Sequence, residues 1–385
     1  VGVNDRNKHR FEGMWPLPYG VSYNSYLIDD EMVALVDTVD ICYFEVYLRK
    51  IKQVIGERPI NYLIINHMEP DHSGSIRLIK QHYPEIIIVG NKQTFGMIEG
   101  FYGVTGEQYL VKEGDFLALG HHKLRFYMTP MVHWPETMMT FDETDGVLFS
   151  GDGFGCFGTV DGGFLDTRIN VDKYWGEMVR YYSNIVGKYG SPVQKALQKL
   201  GGLPISAICS THGPVWTENI AKVIGIYDRL SRYDADEGVV IAYGSMYGNT
   251  EQMAEAIAEE LSAQGVKNIV MHNVTKSHPS YIIADIFRYK GLIIGSPTYS
   301  NQIFPEVEAL LSKILLREVK GRYLGYFGSF TWAGAAVKRL AEFAEKSKFE
   351  LVGDPVEMKQ AMKDLTYTQC ENLARAMADR LKKDR

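Results

Sequence analysis

Cysteine is scarce in this sequence. Cys42, Cys156, Cys209 and Cys370 are the only four in 385 residues, and they form no C-x-x-C pair. Their spacing argues against a disulfide framework and against a built-in iron–thiolate module. A reducing cytoplasm is the expected setting. No apolar run reaches the roughly 20 residues that a membrane span needs, and no signal peptide is evident. The net charge of −6 gives no electrostatic attraction to nucleic acid or to an anionic membrane. Repeats and low-complexity segments are missing too. What remains is an ordinary globular composition, 45% hydrophobic and 23% charged, in a chain long enough for two or three domains.

A polar stretch, Ser231-Arg-Tyr-Asp-Ala-Asp-Glu-Gly238, precedes the buried-strand pattern Val239–Tyr243. It predicts a break that separates a domain of residues 1–235 from one of residues 236–385. Before it, strands are expected at Asn24–Ile28 and Met32–Val36, which flank Asp29-Asp30 as a hairpin. Further strands are expected at Tyr62–Ile65, Ile86–Val89, Leu124–Met128, Val147–Ser150 and Ala207–Ser210, with helices between some of them. This mixture predicts two sheets with helices outside. After the break the alternation is strict. Val239–Tyr243 leads to a helix from about Thr250, whose Met253, Ile257 and Leu261 share one face. Ile269–Met271, Leu292–Ile294, Tyr323–Phe327 and Phe349–Val352 are the later strand candidates. Such alternation indicates an α/β doubly wound parallel sheet.

Residues 67–72 read His-Met-Glu-Pro-Asp-His, directly after Tyr62–Ile65. Four metal-capable side chains, His67, Glu69, Asp71 and His72, thus leave one strand end together. His133 lies a few residues past Leu124–Met128. Asp152 follows Val147–Ser150 and Gly151, and His212 follows Ala207–Ser210 and Thr211. Strand ends that face one way converge on one rim, so distant ligands can meet there. Gly151 and Gly213 would let the backbone pass close to that site. A lone His beside a strand is ordinarily a structural or surface residue, and His9, His82, His121, His122, His272 and His278 take that reading. Seven ligands at matching exits are what two metal ions sharing a bridging carboxylate require. Four imidazoles and three carboxylates, without thiolate, fit a non-haem di-iron centre better than a structural zinc site.

The segment Gly244-Ser-Met-Tyr-Gly-Asn-Thr250 lies between a buried strand and an amphipathic helix. Ser245, Tyr247, Asn249 and Thr250 supply hydroxyls and an amide, and Met246 and Gly248 complete the turn. Its backbone N–H groups and the helix N-terminus would hold an anion. The segment lacks the Lys of a nucleotide P-loop and the G-x-G-x-x-G of a dinucleotide fold, which favours a single phosphate, as in FMN. Two later loops follow strands at their carboxyl ends, where open α/β sheets bind ligands. One carries Pro297, Thr298, Tyr299, Ser300 and Asn301. The other carries Ser329, Phe330, Thr331, Trp332, Ala333 and Gly334. Tyr299 and Trp332 could lie against a flat isoalloxazine ring; the plain alternative is that both fill the core.

The pattern H-x-H-x-D-H, followed by a distant His, Asp and His, belongs to the metallo-β-lactamase fold, an αββα sandwich. Here Glu69 stands where the hydrolases have the second His, and in that respect the chain resembles the flavodiiron proteins. The three flavin loops resemble flavodoxin, and the domain order is the flavodiiron order. This resemblance implies that His67, Glu69 and His133 bind the iron nearer the flavin, that Asp71, His72 and His212 bind the other, and that Asp152 bridges. It implies an oxidoreductase that reduces dioxygen to water, nitric oxide to nitrous oxide, or both. It also implies a rubredoxin-like external electron donor and a head-to-tail homodimer or a dimer of dimers. Two ferrous ions and a reduced FMN together hold the four electrons that dioxygen needs. Two alternatives stand beside it: a dinuclear zinc hydrolase with an accessory flavodoxin-like domain, and an electron carrier with a vestigial metal site.

Overall fold

In the first half of the chain, side chains alternating at a period of two decide which sheet faces meet. Leu124 and Phe126 are buried while Lys123, Arg125 and Tyr127 are half exposed. The computed structural model describes residues 1–384 and divides into two units, Val1–Ser231 and Arg232–Arg385. The first unit has two five-stranded sheets. One runs β1 (Tyr26–Ile28), β2 (Ala34–Val36), β3 (Tyr62–Ile64), β4 (Ile87–Gly90) and β5 (Gln108–Leu110). The pair β1–β2 is the expected antiparallel hairpin, and the other neighbours are parallel. The second sheet runs β6 (Phe116–Ala118), β7 (Lys123–Met128), β8 (Met138–Asp142), β9 (Val147–Gly151) and β10 (Ala207–Ser210).

Ile28, Val36, Ile64 and Val89 from one sheet share a single apolar cluster with Leu124, Phe126, Met138, Phe149 and Cys209 from the other. The two sheets therefore lie face to face. Helices supply the outer layers of the expected αββα sandwich. Phe44–Ile55 buries Phe44, Tyr47, Leu48, Ile51 and Ile55, which is one helical stripe. Lys92–Tyr102 starts at Asn91, whose side chain accepts from the Gln93 and Thr94 N–H groups, and stops at left-handed Gly103. Strand β8 was not foreseen from the sequence, because all five of its residues are buried and no alternation marks it. It matters for direction. With β7 and β9 both antiparallel to β8, and β10 parallel to β9, the strands β7, β9 and β10 all point one way. The segments bearing His133, Asp152 and His212 thus leave the sheet at the same end.

The second unit is a parallel sheet of β11 (Asp236–Tyr243), β12 (Ile269–Asn273), β13 (Tyr289–Tyr299), β14 (Tyr323–Phe330), β15 (Glu350–Leu351) and β16 (Val356–Lys359). Its order is β12-β11-β13-β14, with β15 and β16 both beside β14. This is the flavodoxin order 2-1-3-4-5, whose switch point lies between the first and third strands. Val239 and Ile241 pack with Met253, Ile257 and Leu261 of helix Asn249–Ala263 and with Leu373 and Met377 of helix Asp364–Lys382.

Three sequence expectations need correction here. The strand expected at Leu292–Ile294 is the middle of the eleven-residue β13. Ser296 and Pro297 continue it because β14 extends alongside, with Ser296 opposite Gly328 and Pro297 opposite Ser329. The loop expected from Ser296 is therefore a tight turn at Ser300-Asn301, both with positive φ, that sends Gln302–Ile303 back along β13. Phe349–Val352 shrinks to Glu350–Leu351, and Val356–Lys359, not anticipated, completes that sheet position.

Candidate functional site

The His67–His72 segment leaves β3 and enters a short helix, Pro70–Ser73, with Pro at its first turn. Its backbone is fixed from behind. Asp37, buried at the end of β2, accepts from the N–H groups of Asn66 at 2.8 Å and His67 at 3.3 Å. Burial pushes the Asp37 carboxyl up to about 6, against the pull of His72 and those N–H groups. Gly213 has φ +85°, and a Cβ there would sit 2.2 Å from Cys156 Sγ, so only glycine lets the chain turn beside His212.

All seven predicted ligands are buried and fall into two groups. His67, Glu69, His133 and Asp152 form one, and Asp71, His72 and His212 the other; within each group the potential ligand atoms lie within 4.8 Å of one another. Asp152 faces both. Its Oδ2 is 3.1 Å from His133 Nε2 and 3.5 Å from His67 Nε2. Its Oδ1 is 2.9 Å from His72 Nε2 and 3.7 Å from His212 Nε2. Glu69 Oε2 lies 3.2 Å from His133 Nε2, and Asp71 Oδ2 lies 3.4 Å from His212 Nε2. The cysteines take no part among the described residues.

Few of these atoms bond to one another: His133 Nε2 shares hydrogen bonds with Glu69 Oε2 and Asp152 Oδ2. His67 Nε2, both His72 nitrogens, His212 Nε2 and both Asp71 oxygens are buried with no hydrogen-bond partner. Polar atoms left so would cost heavily unless a cation completes them. The electrostatics agree. Burial disfavours the charged imidazole, yet Asp71 and Asp152 push His72 up to about 9, and Asp152 and Glu69 do the same to His133. Against burial, His72 and His67 hold the Asp152 carboxyl well below its ordinary range. The site thus attracts positive charge, and the donor set fits two borderline-hard ions such as iron.

Several contributors were invisible to sequence reasoning. Glu136 Oε1 lies 2.8 Å from His67 Nδ1, and the carbonyl of Ser22 lies 2.7 Å from His212 Nδ1. Both leave Nε2 free to face the site. The buried Tyr181 ring is 5.6 Å from the His212 ring, and its hydroxyl has no partner. A cavity of about 730 Å³, walled in part by Lys8, Phe11, Glu12, Arg77 and Tyr102, reaches the ligands at Glu69 and Asp71.

In the second unit, a cavity of about 370 Å³ gathers Ser245, Met246, Tyr247, Asn249, Thr250, Pro297–Asn301 and Ser329–Ala333. That lies within the range of small-molecule sites, roughly 300–1,000 Å³. Gly248 and Gly334 do not line it. Gln360 does, although no sequence motif marks it. Among the described residues no Lys or Arg lines the cavity, so a phosphate would rest on N–H groups, hydroxyls and the N-terminus of helix Asn249–Ala263. Thr250 and Ser329 share a hydrogen bond of 2.8 Å. Thr298 Oγ1 is already engaged, accepting from the Ala335 and Ala336 N–H groups. Trp332 is 80% exposed and Tyr299 47%, which rules out the core-filling alternative and leaves both faces open to a flat ring.

Comparison with known proteins agrees with this geometry. The ODP family beta lactamase profile matches residues 21–213, and the flavodoxin profile matches residues 241–372. A rubredoxin-oxygen oxidoreductase of Megalodesulfovibrio gigas is 33% identical over 99% of this chain and 96% of its own. A nitric oxide reductase of Moorella thermoacetica is 31% identical over the same shares. The solved rubredoxin oxygen:oxidoreductase from Desulfovibrio gigas superposes with a TM-score of 0.95 at 31% identity, covering 100% of this chain and 96% of that one. The flavodiiron protein from Giardia intestinalis does so with a TM-score of 0.92 at 26% identity, covering 100% and 95%. With two ligand groups meeting at Asp152 in a lactamase-like unit and an aromatic-lined cavity in a flavodoxin-like one, this chain belongs to the flavodiiron proteins, a family of oxidoreductases.

Proposed function

We propose that this chain reduces dioxygen to water, nitric oxide to nitrous oxide, or both, at an iron pair supplied with electrons by FMN. The observation that carries the reading is Asp152, whose two oxygens each face a different ligand group. His67, Glu69 and His133 would hold one ion, Asp71, His72 and His212 the other, and Asp152 would lie between them. When bound, two ferrous ions supply one electron each and reduced FMN two; dioxygen takes four electrons and four protons to give two waters, and two nitric oxide molecules take two of each to give nitrous oxide and water.

The chain's own part is to hold the ions and leave an approach to them. Six buried side chains around Asp152 would bind the ions, and the cavity lined by Phe11, Glu12 and Tyr102 opens at Glu69 and Asp71. In the second unit, Ser245, Asn249 and Thr250 would hold the FMN phosphate, while Trp332 and Tyr299 would flank its ring. The names of the two curated relatives support both gases and a rubredoxin-like donor. The hydrolase alternative is weaker. Glu69 has its carboxylate in the ligand cluster, and hydrolysis has no use for a flavin cavity.

We also propose a head-to-tail dimer in which one chain's FMN serves the partner's metal pair. Mixing a metal-deficient variant with a flavin-deficient one would then restore activity in the heterodimer, and no restoration would favour a route within one chain. The activity itself is tested by steady-state gas consumption with a reduced rubredoxin as donor. Consumption without released peroxide is expected for dioxygen, and nitrous oxide for nitric oxide. Protein replete in iron and FMN that consumes neither gas would overturn the reading.

A further inference from the structure

A metal-facing imidazole takes its donor strength from whatever its other nitrogen bonds: a carboxylate makes it more basic than a neutral carbonyl does. The two halves of the site differ in this respect. His212 Nδ1 donates to the carbonyl oxygen of Ser22, a neutral group. His67 Nδ1 lies against a carboxylate, Glu136 Oε1, and the same oxygen accepts from the Met68 N–H at 2.9 Å. The Glu136 side chain is fully buried, and its Oε2 has no hydrogen-bond partner. Packing alone does not account for it. A glutamine would keep both bonds through Oε1 and avoid a buried, half-satisfied charge. Each ligand group has one carboxylate of its own, Glu69 or Asp71, and Glu136 adds a further negative charge behind the first. Among the described residues no carboxylate bonds His212 Nδ1.

We infer that Glu136 is a positioning residue that makes the two metal positions unequal. Through His67 it strengthens binding of the ion held with Glu69 and His133, and it makes that ion the harder of the pair to reduce. Among the described residues no carboxylate bonds the outer nitrogen of either imidazole at the Asp71–His72–His212 position: His212 Nδ1 meets the Ser22 carbonyl, and His72 Nδ1 has no partner. The inference rests on the proposed two-metal reading.

The test is anaerobic titration of the metal-stripped full chain with cobalt(II), followed by the metal's visible absorption, in wild type and Glu136→Gln. Wild type should take two ions per chain. In the variant one binding step should weaken about 10-fold, the lower end of what such second contacts contribute, and the other should not move. Two unchanged steps would overturn the inference, and so would two steps weakened alike, which would mark Glu136 as a general structural residue. Retained FMN and an unchanged far-ultraviolet spectrum control for folding. Should Glu136→Gln not fold, Glu136→Asp is read instead. Its carboxylate is withdrawn by one methylene, so the same single step should weaken, by less, and unaltered binding would overturn the inference. Wild type that takes fewer than two ions would bring down the two-metal reading and this inference with it.

Discussion

Removing the metal should make the first unit sensitive to alkaline pH in a way that the loaded protein is not. In the metal-free chain, His72 and His133 carry protons against Asp71, Asp152 and Glu69, and each titrates at about 9 rather than 6.5. A folded value above the unfolded one gives stability that is fully present below pH 6.5 and is lost as pH rises through 9. The rise corresponds to about 3 kcal/mol for one histidine. Because both histidines draw on Asp152, their contributions do not add, so we take about 3 kcal/mol for the pair. For a unit of this size that shifts Tm by roughly 6–12 °C. The bound metal replaces those protons, and its hold strengthens as pH rises. The assay is calorimetric Tm at pH 6.5 and 8.5 for EDTA-stripped protein and for protein reloaded with cobalt(II), excess removed. Only the difference is read. Other groups that titrate in this window contribute equally to both samples. The gap between loaded and stripped Tm should widen with pH by several degrees. A constant or narrowing gap would refute the claim that these histidines hold protons in place of metal.

Other perturbations separate the parts. Asp152→Ala should release metal from both groups, whereas His212→Ala should release it from one; full metal content in Asp152→Ala, measured by elemental analysis, would contradict the bridging position. Trp332→Ala should weaken FMN binding roughly 2- to 10-fold, the scale of one ring contact, and leave metal content unchanged; flavin affinity equal to wild type by fluorescence titration would leave Trp332 without a flavin role. Gly213→Ala should cost about 2 kcal/mol or more, from a left-handed alanine pressed on Cys156 Sγ. Adding Cys156→Ala should recover part of the loss in a denaturation series, and no recovery would mean the contact is not the cause.

The candidate ligand cluster was legible in the sequence because its residues sit at strand ends, and strand ends are the best-marked points in an α/β pattern. His67, Asp152 and His212 each follow an apolar run, and direction alone brings them together. Glu136, Ser22 and Tyr181 were hidden because folding, not spacing, carries them to the site: Glu136 approaches His67 across 69 residues, and Ser22 approaches His212 across 190. Strand β8 was missed because full burial erased its alternation. In the flavin unit, the three loops were legible from Gly, Ser and aromatic residues. The course of β13 through Pro297 was not, since proline reads as a strand's end and only pairing with β14 shows otherwise. Gln360 reaches the cavity on the turn after Val356–Lys359, with positive φ, from a strand too short to be marked.

In the proposed reaction, electrons held by the flavin reach a gas through metal at Asp152. The decisive experiment is rapid mixing of anaerobically reduced, iron-loaded protein with nitric oxide and separately with dioxygen, following flavin absorbance. Fast flavin reoxidation by at least one gas is expected, lost in Asp152→Ala although FMN stays bound. Equal reoxidation rates with and without iron, or in wild type and Asp152→Ala alike, would contradict it.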